Sequence, residues 1–200
     1  MVTFSQPVLL AISQMKEFEK FLTGPIDTGI LMNLHLGLLP AMLRKARAAG
    51  KQVFIHSDLI HGLAADEYGC EYLCQALGCD GVISTKTKVL ETAHRAHRTT
   101  ILRLFLIDSK SLEKGISLIQ SLHPDCVELL PGLAWEIVPE IKGRLSNVGI
   151  DDISFLCGGL LRTPDQITRC LRAGAGAVTL SDRKLAEEYL CQIRPDDCTP

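Results

Sequence analysis

Residues 153–182, ISFLCGGLLRTPDQITRCLRAGAGAVTLSD, contain two strand-to-helix turns in succession. An apolar run, Ile153 to Cys157, breaks at Gly158-Gly159-Leu160. A second run, Ala177 to Leu180, breaks at Ser181-Asp182. Glycine lets backbone pass close to an anion, and the start of the next helix offers free N–H groups and the positive end of its dipole. Two such turns side by side form a phosphate cup, the arrangement found after the seventh and eighth strands of many β/α barrels.

Working outward, six further β-type runs precede these two: Val8–Ile12, Gly29–Leu34, Gln52–His56, Gly81–Ser84, Thr100–Leu106 and Cys126–Leu130. Helix-like stretches alternate with them at 36–48, 66–77, 86–97, 109–122, 134–145, 164–173 and 182–192. Thr163-Pro164-Asp165-Gln166 reads as a helix start, and Gly50, Gly78 and Gly174 read as stops. Eight βα units with nearly continuous apolar strands imply parallel pairing through right-handed crossovers beneath a helical cover. The reading is an α/β protein, a compact TIM-like (β/α) barrel forming a single domain over residues 1–200. The segment from Lys16 to Asp27, with Gly24-Pro25, looks too weak for a full helix, so one βα unit is expected to be truncated.

The 200 residues are 46% hydrophobic and carry 21 Lys and Arg against 23 Asp and Glu, a formal net charge of -2. This balance gives no global attraction to nucleic acid or an anionic membrane, so any RNA contact needs a local patch. No run approaches the roughly 20 apolar residues of a membrane span, and no signal peptide is evident, so a cytoplasmic protein without membrane contact is expected. Eight cysteines stand at 70, 74, 79, 126, 157, 170, 191 and 198 without a C-x-x-C pair. They read as thiols behaving as small hydrophobes, and no metal site is expected. His61, His94, His97 and His123 read as surface residues.

Barrel ligands come from the C-terminal ends of strands. The polar candidates there are Ser13, Asn33, His35, His56, Asp58, Ser84, Lys86, Arg103, Glu128 and Ser181, with Gly158, Gly159, Leu160 and Asp182 completing the cup. A cation and carboxylates facing a phosphate cup suit a small phosphorylated polyol. Alternatively, Arg103 and Glu128 pair inside the barrel, and Asp58 caps its own turn. Lys86, Lys88, Arg95, Arg98 and Arg103 surround a single acid, Glu91. This run is the candidate phosphate-backbone contact, with Lys88, Arg95 and Arg98 as RNA-binding candidates, although it also fits a solvated helix face.

Several blocks then resemble one family in order: His56-Ser57-Asp58-Leu59-Ile60-His61-Gly62 with Asp66-Glu67-Tyr68-Gly69, Gly81 to Lys86, Arg103 to Ser109, Glu128 to Gly132, Gly158 to Thr163, and Ala173 to Thr179. The chain resembles the glycerol-3-phosphate-responsive antiterminators over about Pro7 to Tyr189. The resemblance implies a non-enzymatic barrel, with no cofactor and no catalytic residue, that senses glycerol 3-phosphate and acts on the leader mRNA of a glycerol uptake operon. It implies phosphate on the N–H groups around Gly159, Leu160, Ser181 and Asp182, and hydroxyls on Asn33, His56, Asp58, Lys86, Arg103 or Glu128. Ser13, Asn33, Leu102 and Leu180 depart from the family pattern and are expected to thin out the polar groups at the mouth. Two other readings compete. One is a barrel enzyme on a small phosphorylated metabolite, with Asp58 or Glu128 as base and Lys86 as electrophile; the other is a barrel that has lost its ligand and works through partners. An oligomer is compatible with all three.

Overall fold

A computed structural model describes residues 2–193. Its eight strands are β1 (Val8–Ile12), β2 (Thr28–Leu31), β3 (Gln52–His56), β4 (Gly81–Ser84), β5 (Thr99–Phe105), β6 (Cys126–Leu130), β7 (Ser154–Gly158) and β8 (Ala177–Leu180). They pair in parallel in sequence order, and β8 returns to β1 with Leu10 opposite Leu180, closing the barrel. The helices are α1 (Met15–Thr23), α2 (Leu39–Ala48), α3 (Glu67–Glu71), α4 (Thr87–Arg95), α5 (Ser109–Leu122), α6 (Ile137–Ser146), α7 (Pro164–Arg172) and α8 (Arg183–Ile193).

The first unit is not truncated. Helix α1 has nine residues, as many as α4 and α7. Its polar composition hid an anchor: Phe18 and Phe21, three apart, are both buried on the core side. The stretch expected as one helix over 66–77 is divided, α3 passing into a π-helical turn over Tyr72–Ala76. The start of α7 forms a capping box, in which Thr163 accepts from the Gln166 N–H and Gln166 accepts in return. Gly174 ends that helix at φ 99, a left-handed backbone that costs other residues strain.

Strand alternation divides the core in two. One residue from each strand fills the barrel interior: Leu9, Ile30, Phe54, Ile83, Ile101, Cys126, Leu156 and Ala177, all fully buried. The intervening positions join the larger cluster between sheet and helices. Leu102 belongs to that outer cluster, so this departure from the family pattern removes nothing from the mouth. Cys70, Cys74, Cys79, Cys126, Cys157 and Cys170 are buried free thiols, as expected. Cys191 is disulfide-bonded, against that expectation, and Cys198 lies outside the described residues.

Gly81 shows how tightly the interior is filled. A Cβ there would sit 2.5 Å from the Thr99 carbonyl oxygen and 2.7 Å from the Phe54 ring. Gly81→Ala is expected to destabilise the fold by about 2 kcal/mol or more through overpacking. Thermal unfolding should show a Tm lowered by roughly 2–4 °C per kcal/mol, and an unchanged Tm would contradict this packing.

Candidate effector site

Two residues beyond the apolar interior layer, the same inward face of each strand carries Ala11, Met32, His56, Thr85, Arg103, Glu128, Gly158 and Thr179. Five of these side chains are polar, so the barrel turns from apolar to polar within one layer of its C-terminal end. Arg103 and Glu128 stand opposite each other in the β5–β6 register. Arg103 Nε donates to Glu128 Oε2 at 2.6 Å, and Thr179 Oγ1 donates to Glu128 Oε1 at 2.6 Å. The Glu128 side chain is 1% exposed and that of Arg103 10%. The pair anticipated as an alternative use of these residues is therefore present, with Thr179 as a third member. Removing one partner from such a buried pair typically costs about 3–5 kcal/mol.

Gly158 is explained by this network. A Cβ at that position would lie 2.2 Å from Thr179 Oγ1 and 2.8 Å from Glu128 Oε1. Glycine leaves room for the Thr179–Glu128 hydrogen bond. The next two residues, Gly159 (φ 76) and Leu160 (φ 62), take left-handed backbone and form the turn. Gly159 O accepts from Gly132 N at 3.0 Å, which fixes the turn against the loop after β6. The N–H groups of Gly159, Leu160 and Ser181 donate to no other described residue. The Asp182 carboxylate caps α8, accepting from Lys184 N at 2.9 Å and Leu185 N at 3.2 Å. Two N–H groups of that helix start are thereby occupied.

A cavity of about 190 Å³ joins these parts. Arg103, Glu128, Gly159, Leu160, Ser181 and Asp182 line it, together with Thr179 and the apolar Ala11, Met32, Leu130, Leu161 and Leu180. Arg103 uses only Nε on Glu128, and its terminal nitrogens bond to no other described residue. They are free donors beside the cup. Thr179 was missed by sequence reasoning, although it shares the inward face of β8 with Ala177 and lies two residues before Ser181.

The remaining candidates are elsewhere. Asp58 accepts from Thr85 N and Thr85 Oγ1, both at 2.8 Å, and from the Ser84 hydroxyl and Ser57 Oγ. Both carboxylate oxygens are used in tying the loop after β3 to the turn after β4, and those bonds hold its pKa below the ordinary value against the opposing effect of burial. Lys86 Nζ donates to Ala65 O at 3.0 Å, which strengthens the same tie. Asn33 is exposed in left-handed backbone (φ 54), and its N–H donates to Leu59 O. Ser13 is held by Glu17 through its N–H and hydroxyl. Lys88 and Arg95 share one face of α4 with Glu91, whereas Arg98 is half-buried and donates to Cys74 O at 3.2 Å. Among the described residues no three His, Cys, Asp or Glu side chains are placed to hold a metal ion.

His56 is 2% exposed, and neither ring nitrogen has a hydrogen-bond partner. Desolvation, reinforced by the Arg103 charge, lowers its pKa from 6.5 to about 4. The ring is therefore neutral at neutral pH. Between those values the unfolded chain takes up a proton that the folded chain refuses, so stability falls as pH falls from 6.5 to about 4. The loss reaches about 3 kcal/mol, and Asp58, with its depressed pKa, adds to it at lower pH. Urea unfolding across this range should show His56→Phe with a flatter profile than wild type; identical profiles would contradict the assignment.

The family described as Glycerol-3-phosphate responsive antiterminator matches residues 8–186. The crystal structure of a glycerol uptake operon antiterminator regulatory protein from Listeria monocytogenes superposes with a TM-score of 0.85 at 36% identity, covering 92% of this chain and 96% of that one. A glycerol uptake operon antiterminator-related protein from Thermotoga maritima gives 0.77 at 27% identity, covering 90% and 97%. The uncharacterized protein YgcP of Escherichia coli is 28% identical over 173 residues, 86% of this chain and 82% of its own length. With a barrel of this geometry and a family match across nearly its whole length, the chain belongs to the glycerol-3-phosphate-responsive antiterminator family.

Proposed function

We propose that the cavity between Arg103 and the cup binds glycerol 3-phosphate, and that the bound form acts on the leader mRNA of a glycerol uptake operon, in the cytoplasm where that transcript is made. The observation that carries this reading is the convergence of free Arg103 donors with the unpaired N–H groups of Gly159, Leu160 and Ser181 around one cavity of about 190 Å³. The phosphate sits on those donors, where each charge-assisted bond contributes about 1.5–3 kcal/mol. Glu128 accepts from a hydroxyl, and the apolar wall formed by Ala11, Met32 and Leu180 covers the carbon chain. Among the described residues Arg103 is the only cation lining the cavity, and Glu128 offsets it, so backbone N–H groups supply much of the phosphate recognition.

The enzyme reading assigned an electrophile to Lys86. That ammonium lies on Ala65 O, and the residues lining the cavity include no lysine or histidine. Family membership and cavity chemistry both favour a sensor over a catalyst.

Calorimetric titration tests the ligand. Glycerol 3-phosphate is expected to give saturable heat, inorganic phosphate a weaker response and glycerol none. No interaction at millimolar glycerol 3-phosphate would reject the ligand. The RNA step is checked separately by a gel shift, which should show retention of the operon's leader transcript only when the ligand is present.

A further inference from the structure

The molecule is acidic overall, but its charge is unevenly distributed. Residues 1–57 hold six of the 21 Lys and Arg and three of the 23 Asp and Glu, a net +3 against -5 for the remainder. No acid occurs between Asp27 and Asp58. Within that interval α2 turns Ala41, Arg44, Lys45 and Ala48 outward on one exposed face. Small alanines flanking two cations allow a phosphate backbone to approach closely.

This face continues onto its neighbours. α1 packs on α2 and exposes Lys16 and Lys20, one turn apart. A groove of about 470 Å³ between α1 and α8 is lined by four cations, Lys16, Lys20, Arg183 and Lys184, against two acids, Glu17 and Asp182. Lys16, Lys20, Arg44, Lys45 and Lys184 form no ion pair among the described residues. Of the nearby acids, Glu17 is engaged by Ser13, Asp182 by the N–H groups of Lys184 and Leu185, and Glu187 by Arg183, leaving Glu19 and Glu188. The α4 patch compares poorly, because Glu91 sits between Lys88 and Arg95 and the adjoining α3 carries Glu67 and Glu71.

We infer that the leader RNA binds along the α8–α1–α2 side of the barrel, with Lys16, Lys20, Arg44, Lys45 and Lys184 on its phosphates. The inference rests on the antitermination reading given above. It also supplies the coupling that reading needs, because Ser181 and Asp182 line both this groove and the effector cavity. A ligand seated on that segment from within favours the groove arrangement it fits best, and RNA outside experiences the same equilibrium.

The test compares K16E/K20E and R44E/K45E with wild type and with K110E/K114E, which makes the same charge change on α5. Each is titrated with leader transcript, in the presence of glycerol 3-phosphate, over a range of salt. The two band variants are expected to lose roughly tenfold or more in RNA affinity. Their dependence of log K on log salt should flatten by about one unit per lost phosphate contact. Calorimetric binding of glycerol 3-phosphate should be unchanged in them, which shows that they remain folded, and K110E/K114E should retain RNA. Undiminished RNA binding by the band variants, or its loss in K88E/R95E instead, overturns the surface while leaving the antitermination reading intact. Wild-type protein that retains no transcript at any salt overturns both.

Discussion

The buried contact of Arg103 with Glu128 constrains the β5–β8 side of the mouth of this barrel. Two opposite charges on adjacent strands are sheltered from water, and each depends on the other because an unpaired buried charge is strongly destabilising. Thr179 satisfies the second carboxylate oxygen from two strands away, and the absence of a side chain at Gly158 on the strand between provides the space. Four strands thus contribute to one polar centre. The centre also orients Arg103: with Nε held, the rest of the guanidinium is presented beside the cup instead of folding back on an acid.

Function follows from what this centre leaves unsatisfied. The terminal nitrogens of Arg103 and the N–H groups at Gly159, Leu160 and Ser181 are donors without partners among the described residues, on residues that line one cavity with a largely apolar wall. Such an arrangement suits an anionic head on a short carbon chain. The opposite side of the mouth is closed by its own bonds. Asp58 and Lys86 tie the loops after β3 and β4, and backbone pairing of His35 with His61 joins the loops after β2 and β3. His56 lies buried beneath these loops as a neutral ring.

Much of this was legible in the chain because periodicity reports which way a residue faces. Alternation about Phe54, Ile101 and Cys126 directs His56, Arg103 and Glu128 inward, and the Gly158-Gly159 and Ser181 breaks mark the cup. Periodicity does not report partners. Nothing local to Asp58 or Lys86 indicates that Ser84, Thr85 and the Ala65 carbonyl engage them, because those contacts join loops some twenty residues or more apart. Thr179 passed for one more strand residue because its role depends on Glu128, 51 positions away. Helix α1 was undervalued for a related reason: two buried phenylalanines stabilise it by packing, which a reading of local propensity misses.

The central claim is that the effector occupies the Arg103 side of the mouth. A crystal structure of the protein grown with glycerol 3-phosphate tests it most directly. The account predicts phosphate density within hydrogen-bonding distance of the Gly159, Leu160 and Ser181 N–H groups and of the Arg103 terminal nitrogens, with the Arg103–Glu128 contact intact. Phosphate bound instead at the Thr85–Lys86 turn, or an Arg103 that leaves Glu128 to reach the ligand, would contradict it.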